Sequence, residues 1–509
     1  MNQIGFPLVS LIVWLPALGA LLLWLLPRDN TAAGRIVALA AAIGALVAAV
    51  PLYILFDPSQ AGYQLVDRVG WVSDWGLYYS VSVDGISLWL VLLTVFLTPI
   101  ALLASWGSDV ANPRLFQGLI LLLASGMTGV FVAQDMLLFY MFFEFTLVPT
   151  ALLIGMWGSD ERRAAAIKFF VYTFAGSVFM LLGIIGLYLI HGQQTGVYTF
   201  DLATLLASLQ LGAIRIDPLI EQLRFLAFFI AFAVKVPIWP FHTWMTTAHA
   251  EAPVSGVVDV AGMMLKIGAY GLIRFNVQLF PNAAAWAAPA VGVLAVITIL
   301  YSAWVAYGQS DLKRLLAYAS VSHLGFIVLG IFALTSQGIA GAVVQMVNSG
   351  VTTSALFLIV GMLAARSGER DISSFGGLWG TMPVLGSLTL IMVLASIGLP
   401  GLNGFVGEFT ILLGAWLSPV LGWGFVLLAV LGVILSAAYL LRMFRLVFMG
   451  EVPAERAAMP DLQGREAIVL GALLVPTVVV GLYPNILFGP MQVTMQQLAQ
   501  TLTQTLASR

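Results

Sequence analysis

Phe225-Leu-Ala-Phe-Phe-Ile-Ala-Phe-Ala-Val-Lys235-Val-Pro237-Ile-Trp-Pro240 is an apolar run that carries one lysine and is then interrupted by two prolines. An apolar stretch of about 20 residues is long enough to cross a bilayer as a helix, so this one places a base and a helix break inside a membrane. The surrounding chain agrees. Of its 509 residues 61% are hydrophobic and only 9% charged, and the mean hydropathy is +1.02, whereas soluble domains carry roughly 25% charged residues. So few charges cannot cover the surface of a water-soluble enzyme of this size. A net charge of −2 leaves no basic patch for nucleic acid. The absence of cysteine excludes disulfides, thiolate-held zinc, iron–sulfur clusters and thiol nucleophiles, and four histidines leave little for haem or a metal.

Reading outward from residues 225–247, fourteen stretches are long and apolar enough to span, the first at 5–26 and the last at 467–489. The first lacks a basic leader segment and is read as a retained span. An even number puts both termini on one side. With the termini outside, the inner loops hold 14 basic residues and the outer side 5, the bias expected of cytoplasmic loops. The longest loops, 57–82 and 192–224, then lie outside, and no linker separates a second domain. A weak repeat relates Lys168–Ser177 to Arg314–His323, each followed by a span broken at proline, Pro237 in one case and Pro400 in the other. The two stretches open spans six and ten, so this alignment leaves the repeat boundary open. Inverted repeats with broken helices are a common plan of ion transporters.

The chemistry must run on the few ionisable groups inside the spans. Only four lysines exist, and Lys235 and Lys266 fall inside spans while arginine fills the loops. A base at the bilayer centre costs about 2.5 to 3.5 kcal/mol on insertion scales. Desolvated lysine exchanges protons readily and arginine does not. Against a purely structural ion pair, this distribution favours proton exchange. Glu144 lies mid-span with no other charge between Asp135 and Asp160; it must pair with a buried base or hold a proton. Glu408 follows the Pro400-Gly401 break, where freed backbone carbonyls call for water or protein partners; the competing reading is a kink with Glu408 near the surface in a salt bridge to a loop. His323 lies half-way through its span as a candidate relay. Asp259, seven residues before Lys266, is placed to share its face, and His242 and His249 flank the end of the broken span without a haem-like arrangement. The aromatic and methionine residues read as packing.

These residues sit in Val83-Asp84-Gly85-Ile86-Ser87-Leu88, Phe143-Glu144-Phe145, Lys168-Phe-Phe-Val-Tyr172-Thr173, Ala233-Val-Lys235-Val-Pro237, Ala248-His249-Ala-Glu251-Ala-Pro253, Ala261-Gly262-Met-Met-Leu265-Lys266 and Gly404-Phe-Val-Gly407-Glu408-Phe409. Over nearly its whole length the chain resembles the M-type, antiporter-like subunits of NADH–quinone oxidoreductase, respiratory complex I. The resemblance implies an all-α polytopic membrane fold of about 14 helices with two inverted five-helix repeats, each containing a broken helix. It divides the single domain 1–509 into N-terminal helices (1–113), a first repeat (114–276), a second repeat (277–448) and a C-terminal helix and tail (449–509). It implies proton translocation by Glu144 paired with Lys235, by Lys266 as central link, His323 as relay and Glu408 as terminal residue; beside them the residues themselves point to Lys168, Asp259, Ser349, Pro237 and Pro400 as supporting positions. It also implies a subunit without a redox centre or metal in a bacterial inner membrane. FMN, iron–sulfur clusters and quinone would belong to partner subunits, and the neighbours in the membrane would be L-, N- and K-like subunits. The related alternative is a subunit of an Mrp-type sodium/proton antiporter; a chain that is itself a haem or quinone oxidoreductase is a third reading. Two positions depart from the family pattern. Ser349 stands where a second relay histidine is expected, so water would be needed there, and Met245-Thr246-Thr247 replaces a Leu-Pro-Asp sequence, losing an acid.

Overall fold

The computed structural model of the chain describes residues 5–27, 30–106, 110–253 and 260–507. Within them eleven helices are long and apolar enough to cross a membrane. They are α1 (Leu8–Leu25), α2 (Thr31–Leu55), α3 (Ser87–Ala104), α4 (Pro113–Val132), the nearly continuous pair α5 (Met136–Phe145) and α6 (Leu147–Trp157), and α7 (Arg162–Thr195). After the short α8 (Leu202–Gln210) come α9 (Pro218–Lys235), α10 (Thr243–Glu251) and α11 (Leu265–Gly271), the last flanked by π-helical turns at Val260–Met264 and Leu272–Val277. Then follow spans α12 (Pro281–Tyr307), α13 (Leu312–Phe332) and α14 (Ser336–Ser367), the broken pair α15 (Pro383–Ser396) and α16 (Asn403–Trp416), spans α17 (Trp423–Phe448) and α18 (Gly464–Leu482), and α19 (Asn485–Ala507). Three stretches expected as spans, 225–247, 254–276 and 383–418, are thus interrupted or irregular among the described residues. Two breaks fall at Pro237 and Pro400, which lack the amide that would continue a helix.

Four of the aspartates start helices. Asp135 accepts from the amides of Leu137 and Leu138, Asp201 from Thr204, Asp217 from Leu219 and Asp311 from Arg314, satisfying donors that a helix start leaves open. Burial then sorts the helices. In α13 and α14, 94% of the spanning window is buried, against 28% in α2, α17 and α18; the first two form the centre and the others present apolar flanks. Small residues let the central helices approach. Gly341 of α14 packs on the backbone of Thr410–Ile411 in α16, and Gly350 packs on Gly262.

Two features add to an all-helical expectation. Loop 57–82 forms an antiparallel hairpin, β1 (Gln64–Val72) with β2 (Leu77–Val83), knitted to the start of α5 by Gln134 N donating to Ser80 O at 2.9 Å. The C-terminal tail continues as α19, whose Pro490 carbonyl lies so close to Gly85 that a Cβ there would meet it at 2.6 Å. The hairpin, α8 and α19 define one end of the bundle, the hairpin face.

The turn between α15 and α16 depends on Gly404. A Cβ at this position would lie 1.9 Å from the Ala395 carbonyl oxygen, a backbone atom that cannot swing away. Gly404→Ala is therefore expected to reduce the amount of assembled protein in membranes sharply, whereas Gly424→Ala, at a glycine with no neighbour within 4 Å, leaves it unchanged; immunoblots of native gels measure both.

Candidate functional site

The first cluster forms where α5 gives way to α6. Pro149 has no amide to offer the Phe145 carbonyl, and Thr146 fills the junction by donating its hydroxyl to Phe143 O at 2.8 Å. Glu144, one residue before the end of α5, is half-buried, with Ser177 of α7 beside its carboxyl group and Oε1 inside the protein without a hydrogen-bond partner. Lys235 ends α9 and is 1% exposed. Its Nζ donates to Thr146 Oγ1 at 3.4 Å and lies 4.8 Å from the Phe143 ring centre and 5.8 Å from that of Phe169. Two aromatic faces and the negative end of a helix stabilise a cation there. No ion pair closes between Glu144 and Lys235: the lysine reaches a hydroxyl two residues from the carboxylate instead.

Lys266 lies in α11, between the two π-helical turns, and is 2% exposed. The two interior lysines are on adjoining segments, because Gly268 packs on Lys235 so closely that a Cβ would lie 3.0 Å from Lys235 Cβ. His249 on α10 is fully buried; both ring nitrogens lack hydrogen-bond partners, and the ring stands edge-on to Phe357 of α14 at 5.7 Å. Lys313, counted among the loop bases from sequence, is 5% exposed and donates to Ala252 O at 3.0 Å. Lys168 is half-buried and donates to Thr247 Oγ1 at 3.4 Å, so it meets the position at which an acid is missing. Asp259 lies outside the described residues.

The second cluster is closed. His323 on α13 has Nδ1 3.0 Å from Glu408 Oε1 and Nε2 3.1 Å from Ser396 Oγ. Gln345 on α14 donates to the same Glu408 oxygen at 3.2 Å. Glu408 is 3% exposed, which removes the reading of a carboxylate near the surface. Gly407 makes the approach possible, since a Cβ there would lie 2.2 Å from Gln345 Oε1. Pro400 is exposed in the turn that separates Ser396 from Glu408. Ser349 is buried, but its hydroxyl donates to Met346 O at 3.3 Å in its own helix. Asn348 instead reaches across the break to Asn403 O at 2.6 Å.

Sequence reasoning missed Gln345, Ser396 and Thr146. All three are neutral, and a polar neutral residue in an apolar span carries no signal of which charged group it will meet. It also missed the buried ion pair of Asp84 with Arg274. Among the described residues no group of three or more His, Cys, Asp or Glu side chains could hold a metal ion.

A many-spanned helical bundle with two broken helices, each presenting a buried ionisable group to a helix beside it, defines an antiporter-like membrane subunit. The sequence model of the family "NADH:quinone oxidoreductase/Mrp antiporter, TM" matches residues 133–436. NADH-quinone oxidoreductase subunit M of Rhodobacter capsulatus is 40% identical over 498 residues, 95% of each chain. A chain of respiratory complex I from Thermus thermophilus superposes with a TM-score of 0.87 at 32% identity, over 97% of this chain and 99% of that one. A chain of the Mrp complex from Dietzia shares the fold, with a TM-score of 0.82 at 21% identity, over 99% of both. The chain belongs to the family of NADH-quinone oxidoreductase M subunits.

Proposed function

We propose that this chain is the proton-translocating M-type subunit of a complex I-type NADH:quinone oxidoreductase in a bacterial inner membrane, moving protons outward while electrons pass through partner subunits. The observation that carries this reading is that Lys235, Lys266 and the His323–Glu408 pair are all buried, Lys235 at one broken helix and Glu408 at the other. The open Glu144–Lys235 contact is the adjustable element. When the carboxylate closes on Lys235, it holds the ammonium charged; when it withdraws, Lys235 in its aromatic cage releases its proton towards Lys266. Moving one charge against the membrane potential takes about 2.3 kcal/mol per 100 mV. Breaking a buried ion pair is of the same scale, about 3 to 5 kcal/mol, so a conformational or electrostatic signal from a neighbouring subunit can drive the cycle.

FMN, iron–sulfur clusters and quinone belong, in this reading, to partner subunits, with L-, N- and K-like subunits against the apolar flanks. Both termini face outward, and two inverted repeats, 114–276 and 277–448, supply the two half-channels. Complex reconstituted in liposomes with Lys266→Ala is expected to lose most of its proton yield per NADH oxidised. Full yield in that variant brings the reading down.

A further inference from the structure

Eight residues beyond Lys266, Arg274 lies in the second π-helical turn, 2% exposed, and is ion-paired with the equally buried Asp84. Asp84 Oδ1 also accepts from the amides of Ile86 and Ser87, at 3.1 and 2.9 Å, at the start of α3. Tyr270 stands midway between Lys266 and Arg274, four residues from each, on the same side of the helix. Its ring centre is 5.1 Å from the guanidinium carbon, and its hydroxyl donates to Phe131 O at 2.9 Å. Tyr63, beside the hairpin, stands 5.6 Å from the same carbon. Arg274 Nε has no hydrogen-bond partner, so the guanidinium is not fully committed to Asp84.

Behind this pair lies a cavity of about 240 Å³, lined by Asp84, Arg274, Tyr63, Gln210, Gln278 and Thr494 among others. Through Gln210, Gln278 and Gln497 it continues into a wider space of about 530 Å³, whose wall includes Glu221. Polar side chains on its wall, Asp84, Arg274, Gln210, Gln278 and Gln497 among them, give water partners in a space of this size. A staple between α3 and the irregular segment would need only apolar packing; a charged pair between an interior lysine and a polar cavity is a costly substitute for it.

We propose that the Asp84–Arg274 pair is a gate between Lys266 and the hairpin-face cavity, and that its parting lets Lys266 exchange protons with that side of the membrane; this rests on the reading of Lys266 as a proton carrier. With the pair closed, the two charges cancel and the path past Tyr270 ends at a filled guanidinium. With the pair parted, the Arg274 charge repels the Lys266 ammonium. An N–H bond of that ammonium breaks, the proton passes to water that enters past Tyr270 from the cavity once the pair has parted, and a neutral amine remains.

The test is passive proton leak under an imposed potassium diffusion potential, in liposomes holding the whole complex with no NADH. Asp84→Asn, which keeps a capping oxygen for α3, is expected to leak severalfold faster than the unaltered complex. The double variant Asp84→Asn/Lys266→Ala is expected to return to the unaltered rate. If Asp84→Asn fails to assemble, Asp84→Ser, which also keeps a capping oxygen for α3 and leaves the Arg274 charge unpaired, is expected to give the same Lys266-dependent leak. Tight vesicles with an assembled single variant overturn the gate. So does a leak that persists without Lys266, because a loosened structure would leak irrespective of that lysine. Failure of the wider reading is separate: it is full proton yield in Lys266→Ala alone.

Discussion

Lys235→Met is expected to abolish most coupled proton translocation while leaving the protein as stable as before, or more so. The reason lies in what surrounds the ammonium. Its neighbours are two phenyl rings and one hydroxyl at 3.4 Å, with no carboxylate closed upon it. Methionine matches the length of the side chain and fills the same space with apolar atoms. Replacing a poorly paired buried charge by an apolar group of similar volume is often neutral or stabilising. The charge that must alternate is then gone, and Glu144 has no base to close on. The measurements are proton uptake into inverted membrane vesicles during NADH oxidation and the thermal stability of the purified complex. An assembled complex that pumps at full yield refutes the role given to Lys235. Loss of pumping together with loss of assembly would mean that the lysine is structural.

The second large effect is expected at His323. His323→Ala removes both contacts of the ring, to Glu408 at 3.0 Å and to Ser396 at 3.1 Å. Glu408 is left with the single amide donor of Gln345. Removing the hydrogen-bond partner of a buried polar group costs about 1 to 3 kcal/mol, and more for a charged one. Ser349 cannot stand in, because its hydroxyl is turned to its own helix. His323→Ala should therefore lower both stability and proton yield. His323→Gln separates the two effects: its amide can restore the hydrogen bonds but cannot carry a proton. Recovery of thermal stability with pumping still lost is the expected result. Normal pumping in either variant would show that the path does not run through this residue.

Which segments enter the membrane, and where helices break, is determined locally. Lipid cannot satisfy open backbone groups, so a run such as 225–240 has to become a helix, and Pro237 and Pro400 have to interrupt theirs. The rarity of charge in those runs likewise makes Glu144, Lys235, Lys266, His323 and Glu408 the candidates. Their partners are another matter. Glu144 and Lys235 are an acid and a base and remain apart, while His323 meets Glu408 across 85 residues and Asp84 meets Arg274 across most of the first half of the chain. Lys313 and Arg274 stand at span ends in the sequence and are buried in the fold. These pairings follow from how closely helices approach, which glycines such as Gly268 and Gly407 permit, and from neutral residues such as Thr146 and Gln345 that only the packed bundle brings up to a charge. Hydropathy acts on each residue in turn and is legible in the sequence. Electrostatic pairing acts between residues distant in the chain, at separations of a few ångströms, and only the tertiary structure decides it.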